Sequence, residues 1–421
     1  MKRHLLISLL ILVMSIFMTG LTVAQPPQPP TVPPNPSPTS DSPTPTITPT
    51  GSRTITPSPA LPSPTASRTP PHQGTFFTLE ASPTLRGVFA TSTPTFTFPT
   101  TDFIPLVATA GRTFITKDNL DQVVLLARII PPNYDDNYGI VAVDFSFDGR
   151  YIAVGDNTGT VHVYDFATLR QGSQEPVFSR QDGTTTMWDV AFHPYLDQLM
   201  TCTADNYLTI HDIEGLTLAQ VQAGVSAVQC NYNHNGGYIA FAGGEGVIFY
   251  VVDDEDGVQL TPLTTNYTQT SIHDVIFNSD ASLLYTSGGT GFTMWNTVTG
   301  TPVWAVESTN LWSVNPLPNG NIIATGGNGL VALYNNTGAQ LATFSGHSMD
   351  VIESAYDPTG SLFVTGSWDA NVLFWDATGE ITSPLHTLNH GDYIVDVGWS
   401  RDGAIVASVG NNGYLHLWGI P

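Results

Sequence analysis

A short apolar segment recurs seven times between residues 161 and 419, and this repetition limits the folds that the chain can adopt. The copies are VHVYD (161–165), LTIHD (208–212), VIFYV (247–251), FTMWN (292–296), VALYN (331–335), VLFWD (372–376) and LHLWG (415–419). The last residues of successive copies are 39 to 47 residues apart. Apolar and polar positions alternate within the copies, which predicts strands rather than helices. The spacing indicates a repeated unit of four short strands.

Further strand-like segments precede each copy and complete the repeat. A second segment, such as YIAVGD or LFVTGS, follows a turn such as FDGR or PTGS, and a third segment, such as VAVDFSF, lies before that turn. This arrangement predicts an all-β, seven-bladed β-propeller over residues 113–421. The last repeat ends at Pro421 after its third strand, and QVVLLARII (122–130) precedes the first repeat. We expect this N-terminal strand to complete the last blade and close the ring without an open edge.

The sixth repeat, GHSMDVIESAYDPTGSLFVTGSWDANVLFWD, carries the residues that define a known family. It resembles the WD-repeat (WD40) β-propeller family, and in particular its bacterial extracytoplasmic members. The resemblance implies a structural hydrogen-bonded tetrad made of His347, Thr365 or Ser367, Asp369 and Trp375. The seventh repeat keeps His390, Ser408 and Trp418 but has Asn412 in place of the Asp. The resemblance also implies a non-catalytic interaction platform that binds its partner on one end of the ring.

One position in the predicted innermost strands is rich in carboxylates. It lies three residues before the end of each strand and is occupied by Ala142, Asp189, Gln229, Asp274, Ser313, Glu353 and Asp396. If these strands surround the axis, the acids converge near one mouth of the central channel. Such a ring predicts a site for a cation, or for a Lys or Arg side chain of a partner. The alternative is that each acid caps amides of its own or a neighbouring blade.

Large aromatic side chains occupy the preceding position in three repeats. They are Trp188, His273 and Trp312. On an exposed face they would be contact anchors for a partner. Buried, they would only cap the core.

The charge of the predicted head restricts its partners. Residues 120–421 contain five Arg, no Lys and 31 Asp or Glu, a difference of 5 − 31 = −26. Such a surface repels phosphate backbones and excludes nucleic acid as a partner, whereas a protein or peptide, and above all a basic one, is favoured. Alternatively, the acidity only supplies solubility. We expect a monomer that needs no cofactor, apart from a cation at the channel mouth.

The chain lacks the common catalytic signatures. It has no Gly-x-Ser-x-Gly elbow, no His-Glu-x-x-His pair and no phosphate-binding loop with Lys. A non-catalytic scaffold is therefore predicted. Two alternatives stay open, because fold alone does not determine function. One is a propeller enzyme, a metal-assisted hydrolase or lactonase that uses the channel carboxylates, and the other is a passive spacer.

The N-terminal quarter differs in composition from the head. Residues 1–24 combine Lys2 and Arg3 with an uncharged apolar run, which predicts a signal peptide cleaved after Ala24 or an uncleaved anchor. Residues 25–112 form a Pro/Thr/Ser-rich stretch, with 21 of the chain's 32 Pro between residues 25 and 105. This composition predicts a disordered stalk. The head is then secreted or tethered to the cell surface, and contacts a membrane only through an uncleaved N-terminal segment.

Two cysteines occur in the chain. Cys202 and Cys230 fall in predicted strands of neighbouring repeats. An oxidising compartment would allow a disulfide between them, and otherwise they are buried thiols.

Overall fold

A computed structural model describes residues 113–421 except 133–138, 225–226, 245, 254–256, 264–268, 270 and 309. The predicted signal segment (1–24) and stalk (25–112) lie outside the described residues. No helix in the described part of the chain is long and apolar enough to cross a bilayer.

The described residues are almost entirely β-structure. The strands are β1 Val124–Ile129, β2 Ile140–Phe145, β3 Tyr151–Asp156, β4 Thr160–Asp165, β5 Phe178–Gln181, β6 Met187–Phe192, β7 Gln198–Thr203, β8 Tyr207–Asp212, β9 Thr217–Gln222, β10 Ala227–Tyr232, β11 Tyr238–Gly243, β12 Gly246–Asp253, β13 Gln259–Leu263 and β14 Ile272–Phe277. They continue with β15 Leu283–Gly288, β16 Gly291–Asn296, β17 Pro302–Glu307, β18 Leu311–Pro316, β19 Ile322–Gly326, β20 Leu330–Tyr334, β21 Gln340–Phe344, β22 Val351–Tyr356, β23 Leu362–Ser367, β24 Asn371–Asp376, β25 His386–Asn389, β26 Ile394–Trp399, β27 Ile405–Gly410 and β28 Leu415–Gly419. A short helix α1 spans Phe166–Arg170, and 3-10 turns span Lys117–Gln122 and Gly327–Gly329.

The strands form seven four-stranded antiparallel sheets, which confirms the predicted seven-bladed propeller. Blades 1 to 6 take four consecutive strands each, from β2–β5 to β22–β25, and blade 7 contains β26, β27, β28 and β1. The first strands of successive blades contact one another around a closed ring, from β2 through β6, β10, β14, β18 and β22 to β26 and back to β2. These first strands are therefore the innermost ones and surround the axis.

Strand β1 closes the ring as predicted. It pairs antiparallel with β28, from Val124 opposite Gly419 to Ile129 opposite Leu415. The residues just before β1 are also bonded to the head. The Ile115 amide donates to the Gly403 carbonyl at 3.0 Å, and Lys117 Nζ lies 2.6 Å from Asp376 Oδ1.

The apolar core lies between neighbouring blades. One cluster combines Val364 and Phe374 of blade 6 with Ile394 and Val397 of blade 7, all buried. Gly366 makes this approach possible, because a Cβ there would come within 2.6 Å of Ile394 Cγ2. Each blade therefore buries its apolar faces against its neighbours, as expected for a propeller.

The two ends of the ring differ and are named here by the direction of the innermost strands. The start face consists of the loops that precede the innermost strands and those that join second to third strands. Its described residues are 130–132, 139, 157–159, 182–186, 204–206, 223–224, 244, 269, 271, 289–290, 308, 310, 327–329, 345–350, 368–370, 390–393 and 411–414. The turn face consists of the turns after the innermost strands, 146–150, 193–197, 233–237, 278–282, 317–321, 357–361 and 400–404, with the loops after the third strands.

Candidate functional site

A β-bulge recurs at one position of every innermost strand. In all seven blades the register between first and second strand shifts at the second residue of the first strand. The bulged residues are Val141, Trp188, Val228, His273, Trp312, Ile352 and Val395. The predicted channel position follows each bulge directly. Because a bulge re-aims the neighbouring side chains, it decides where the carboxylates and the aromatic residues point.

The predicted acids bond to the next blade. The bonds are Cys230 N–H to Asp189 Oδ2 (3.0 Å), Val314 N–H to Asp274 Oδ2 (2.8 Å) and Val143 N–H to Asp396 Oδ2 (2.7 Å). Asp189 is 8% exposed and Asp274 is 5% exposed. Of the two possibilities that the sequence left open, these bonds fit the second: the carboxyls accept backbone N–H groups of the neighbouring blade that would otherwise lack a partner.

Glu353 makes equivalent bonds within the ring. It accepts hydrogen bonds from the Ser313 hydroxyl, from Asn315 Nδ2 at 3.4 Å and from the Ser354 amide at 2.8 Å. Ser313, another predicted site residue, is fully buried and serves as a donor inside this network. Gln229 lines the central cavity. The hydrogen bonds of Glu353 therefore join blades 5 and 6 through side chains.

Three further polar residues complete the ring of side chains around the channel. They were not predicted from the sequence. They lie two positions later, in the blades whose channel position lacks a carboxylate. Asp144 Oδ2 accepts from the Phe192 amide (2.8 Å), Asn231 Oδ1 accepts from the Phe277 amide (3.5 Å), and Asn315 Nδ2 donates to the Ser354 carbonyl (2.7 Å). The other blades have Ala191, Ile276, Ala355 and Gly398 at this position. This complementary alternation was the signal that could have revealed the network.

Burial raises the pKa values of the ring carboxyls. It raises the pKa of Asp396 to about 8 and the pKa of Asp144 and of Asp274 to about 6, although hydrogen bonds from the neighbouring blades oppose the shift. The pKa values of Asp189 and Glu353 are raised well above their ordinary range for the same reason. Among the described residues, no three His, Cys, Asp or Glu are arranged to hold a metal ion. At a given pH the ring carboxyls therefore carry less negative charge than exposed carboxyls would.

The central cavity separates the predicted site residues into two groups. It has a volume of about 260 Å³ and is lined by Asp189, Gln229, Asp274, Glu353 and Asp396. Turn-face residues also line it, whereas Trp188, His273, Trp312 and Ser313 do not. The acids and the aromatic residues therefore do not lie at the same mouth of the channel. The aromatic residues occupy the bulged position, and their side chains point in a different direction from those of the acids.

Four aromatic rings form a continuous row at the start face, across blades 4 to 7. His273 stacks on Trp312 with ring centroids 4.7 Å apart, Trp312 lies 6.1 Å from Trp368, and Trp368 lies 6.4 Å from Tyr393. His273 Nδ1 donates to the Leu311 carbonyl at 2.8 Å. Burial lowers the pKa of His273. We call these four residues the aromatic row, and Trp188 lies apart from it in blade 2.

The aromatic row is only partly buried. Trp312 is 9% exposed, and His273, Trp368 and Tyr393 are half-buried. The row therefore presents ring area to the solvent at the start face, so these aromatics are not purely core residues.

The start-face loops carry carboxylates, and one of them, Asp182, is paired with Arg180 of strand β5 (Nε to Oδ1, 3.3 Å). The described residues of these loops include no Lys or Arg. They contain Asp182, Asp205, Asp350, Asp369 and Asp392. Burial tends to raise the pKa of Asp205 and of Asp369, but hydrogen bonds outweigh it, and both pKa values are lowered. Asp205, Asp350 and Asp392 are partly exposed in these loops, whereas the side chains of Asp182 and Asp369 are buried against His211 and His347.

The structure assembles the tetrad of blade 6 around Thr365. His347 Nδ1 lies 2.9 Å from Asp369 Oδ2, and His347 Nε2 lies 2.7 Å from Thr365 Oγ1. Trp375 Nε1 donates to the same hydroxyl at 2.7 Å. Ser367 instead donates to the Met349 carbonyl at 3.3 Å and accepts from the Asp369 amide at 3.1 Å. Thr365 is therefore the tetrad member, and Ser367 bonds to the adjacent loops.

Other blades build the same network from different residues. In blade 7, His390 bonds to Ser408 Oγ (2.8 Å) and to Asn412 Oδ1 (3.1 Å). In blade 2, Asp182 Oδ2 accepts from Thr201 Oγ1 and lies 2.6 Å from His211 Nε2. This second network was missed because its Asp occupies the position of His347 and its His occupies the position of Trp375.

The two cysteines form a disulfide that joins two blades. Cys202 in β7 bonds to Cys230 in β10, with Cα atoms 6.5 Å apart. Both are buried, at 0% and 1% exposure. The sequence left open a disulfide or two buried thiols, and the structure contains the disulfide.

Comparison with known families agrees with this architecture. A family model described as "WD domain, G-beta repeat" matches residues 338–376 and 382–419. A second model, described as "NUP159/214 beta propeller", matches residues 129–272. The chain therefore contains WD40 repeats and a β-propeller domain.

Curated relatives match parts of the chain. It is 22% identical over 265 residues to the anaphase-promoting complex subunit cdc20 of Dictyostelium discoideum, which covers 59% of this chain and 51% of that protein. It is 25% identical over 256 residues to protein FIZZY-RELATED 3 of Arabidopsis thaliana, covering 57% and 50%. It is 30% identical over 73 residues to the pre-mRNA-splicing factor cwf17 of Schizosaccharomyces pombe, covering 17% and 22%. The chain thus spans about a fifth to a half of the length of these relatives.

Proteins with WD40 repeats commonly act as protein-interaction scaffolds, and this chain contains such repeats. The particular partner and the place where it binds are the subject of the proposal that follows.

Proposed function

We propose that this protein is a non-catalytic interaction scaffold that works outside the cytoplasm and binds a basic segment of a partner protein at its start face. The observation that carries the proposal is the aromatic row, which lies among ionised carboxylates on a face whose described loops lack Lys and Arg.

The chemistry of the row fits a cationic side chain. Trp and Tyr faces attract Arg and Lys through their ring quadrupoles, and the attraction grows as the site is desolvated. Asp350 lies directly beside the row, since its Oδ2 accepts from Trp312 Nε1 at 3.3 Å. Asp392 immediately precedes Tyr393. A guanidinium placed over Trp368 would therefore have carboxylates on both sides.

The channel ring has a structural part in this proposal. Its carboxyls join adjacent blades and hold the innermost strands, whose bulges carry His273 and Trp312. Rigid support of this kind lowers the entropy cost of ordering the site when a partner binds.

Two features support a location outside the cytoplasm. Residues 1–24 have the pattern of a signal segment. The disulfide between Cys202 and Cys230 suits an oxidising compartment, because cytosolic thiols are kept reduced. If export occurs by cleavage, N-terminal sequencing of the protein from its source should begin at Gln25. A chain that keeps residues 1–24 and stays with the cytosolic fraction would overturn this part of the proposal.

Binding can be tested with a labelled octapeptide of alternating Arg and Gly, and a Glu and Gly counterpart of equal length. The full chain should bind the Arg peptide, and added salt should weaken the complex. Asp350→Asn combined with Asp392→Asn should weaken binding about tenfold, a change of about 1.4 kcal/mol. Trp368→Ala should also weaken binding about tenfold, because it removes the aromatic face that contacts the Arg side chain.

The matched control is Asp148→Asn combined with Asp280→Asn. It removes the same two charges from the turn face, so it should leave the affinity nearly unchanged. Equal losses in the two double variants would mean that only net charge attracts the peptide. Equal binding of the Arg and Glu peptides would also reject the proposed site.

A further inference from the structure

The opposite end of the cavity presents a group of side chains that neither the fold nor the start face explains. Phe147, Tyr195, His234 and Arg401 come from the turns of blades 1, 2, 3 and 7, and all four line the cavity. Phe147 is 46% exposed and Tyr195 is 52% exposed, with ring centroids 5.3 Å apart. Two large apolar rings are therefore held together in the solvent at the cavity entrance. We call these four residues the turn-face entrance.

Local hydrogen bonds hold these rings in place. Tyr195 Oη lies 2.9 Å from His234 Nε2, in the turn of the next blade. His193 Nδ1 accepts from the Tyr195 amide at 3.1 Å and so fixes the start of the turn. A Cβ at Gly236 would lie 1.8 Å from His193 Nε2, so only Gly allows this contact. The entrance is thus positioned before any ligand arrives.

Arg401 supplies the charge of the entrance. It is the only Lys or Arg among the described residues that line the cavity. It is exposed and makes no hydrogen bond or ion pair with any described residue. Its charge opposes the burial that raises the pKa of Asp144, which also lines the cavity, so the entrance places one exposed cation above the ring carboxyls. Tyr and Arg are also the residue types most often found at the energetic centres of protein interfaces.

A second observation inside the cavity indicates a ligand. Tyr232 lines the cavity and is 7% exposed, and its hydroxyl has no hydrogen-bond partner among the described residues. A buried hydroxyl without a partner costs stability, so its retention needs an explanation. The cavity volume of about 260 Å³ is slightly below the usual range for small-molecule sites. It therefore suits one or two side chains of a peptide.

We infer that the turn-face entrance is a second docking site, which takes an acidic, aromatic segment of a partner protein. The partner's carboxylate pairs with Arg401, and its neighbouring aromatic side chain packs on Phe147 and Tyr195 and reaches toward the Tyr232 hydroxyl. The charge preference is opposite to that of the start face. The scaffold would thus hold two partners of opposite charge at the two ends of its ring.

The test uses the full chain and two labelled, end-capped tetrapeptides, Asp-Tyr-Asp-Tyr and its uncharged counterpart Asn-Tyr-Asn-Tyr. The acidic peptide should bind at least tenfold more tightly. Arg401→Gln should remove this preference, and Phe147→Ala should weaken both peptides. Arg170→Gln is the matched control, because Arg170 is exposed in α1 near the same face but does not line the cavity.

Tyr232→Phe separates a binding role from a structural one. It should weaken the acidic peptide several-fold and leave the unfolding midpoint unchanged, because the hydroxyl has no partner within the described structure. The inference is overturned if neither peptide binds, if both bind equally, or if Arg170→Gln and Arg401→Gln cause the same loss. The start-face variants Asp350→Asn and Asp392→Asn should not weaken the acidic peptide, so failure of one site leaves the other measurable.

Discussion

At the scale of single residues, Thr365 connects two buried rings through one hydroxyl. Its Oγ1 bonds to His347 Nε2 and to Trp375 Nε1, both at 2.7 Å. The backbone of β23 places Thr365 opposite Leu373, so the hydroxyl points into blade 6. The resemblance to WD repeats left Thr365 and Ser367 open as the third member, and only the three-dimensional contacts separate them.

Replacement of Thr365 by Val keeps the shape of the side chain but removes both bonds. Two buried nitrogens lose their partner, so we expect Thr365→Val to lower the free energy of unfolding by about 2 to 4 kcal/mol. Ser367→Ala should cost about 1 kcal/mol, because it disturbs only bonds to adjacent loops. Urea unfolding measures both variants. A larger loss for Ser367→Ala would assign the tetrad to the wrong hydroxyl.

The ring carboxyls give the head an unusual dependence on pH. The folded pKa of Asp396 is raised to about 8, above its ordinary value of 3.8, so the folded state holds a proton that the unfolded state releases. The stability from this group is complete below pH 3.8 and is lost as pH rises through the folded pKa. Between pH 7 and pH 9 the expected loss from Asp396 is about 1.4 kcal/mol.

The variant Asp396→Asn should therefore lose less stability than the wild type between pH 7 and pH 9. The amide oxygen can still accept from Val143 N–H, and the group no longer titrates. This window avoids His390 and His416, whose pKa values burial lowers to about 4 and about 3. Asp280→Asn is the control, because the hydrogen bonds at Asp280 lower its pKa. Parallel melting curves for wild type and Asp396→Asn across this window would contradict the burial argument.

At the scale of elements, β1 connects the two ends of the head. Its neighbour β28 would otherwise be an unpaired edge, which invites aggregation. The polar interactions of Ile115 and Lys117 strengthen the closure from outside the strand. Removal of β1 should therefore affect the whole ring and not only blade 7.

Deletion of residues 1–131 should abolish cooperative unfolding or produce aggregates, whereas deletion of 1–112 should leave the melting transition in place. Calorimetry and light scattering distinguish these results. The shorter deletion controls for loss of the N-terminal segment itself. A chain without residues 1–131 that melts like the shorter deletion would reject closure by β1.

The strands could be predicted from the sequence because repetition multiplies a weak signal. Seven copies of one alternating pattern located the blades, and the missing fourth strand of the last repeat identified β1. The bulges were not predictable in this way. A bulge inserts one residue without changing composition, so simple alternation did not show that Trp188 and Asp189 point in different directions.

At the scale of the whole molecule, the candidate sites depend on residues from different blades. The channel acids were found because they share one repeat position, but their bonds to the next blade required the ring geometry. The aromatic row adds Trp368 and Tyr393, which lie in loops and share no repeat position with His273. Arg401 and Phe147 are separated by most of the chain and meet only because the ring closes. The sequence therefore predicted the strands well, but it did not predict which residues meet at each end of the ring.

The two ends of the molecule differ in the placement of their Arg residues. The start face lacks Lys and Arg in its described loops, whereas the turn face carries Arg150, Arg170 and Arg401. A protein with a uniformly acidic surface would meet partners without preference for one end. Under our proposal, the aromatic row and not the net charge distinguishes the start face for a basic segment.

The most direct test of this account is hydrogen exchange of the full chain, measured with and without the alternating Arg and Gly octapeptide. We expect slower exchange in residues 345–350, 368–370 and 390–393, and no change in turns 146–150, 193–197 and 400–404. Protection confined to the turns, or spread equally over both ends, would contradict recognition at the start face.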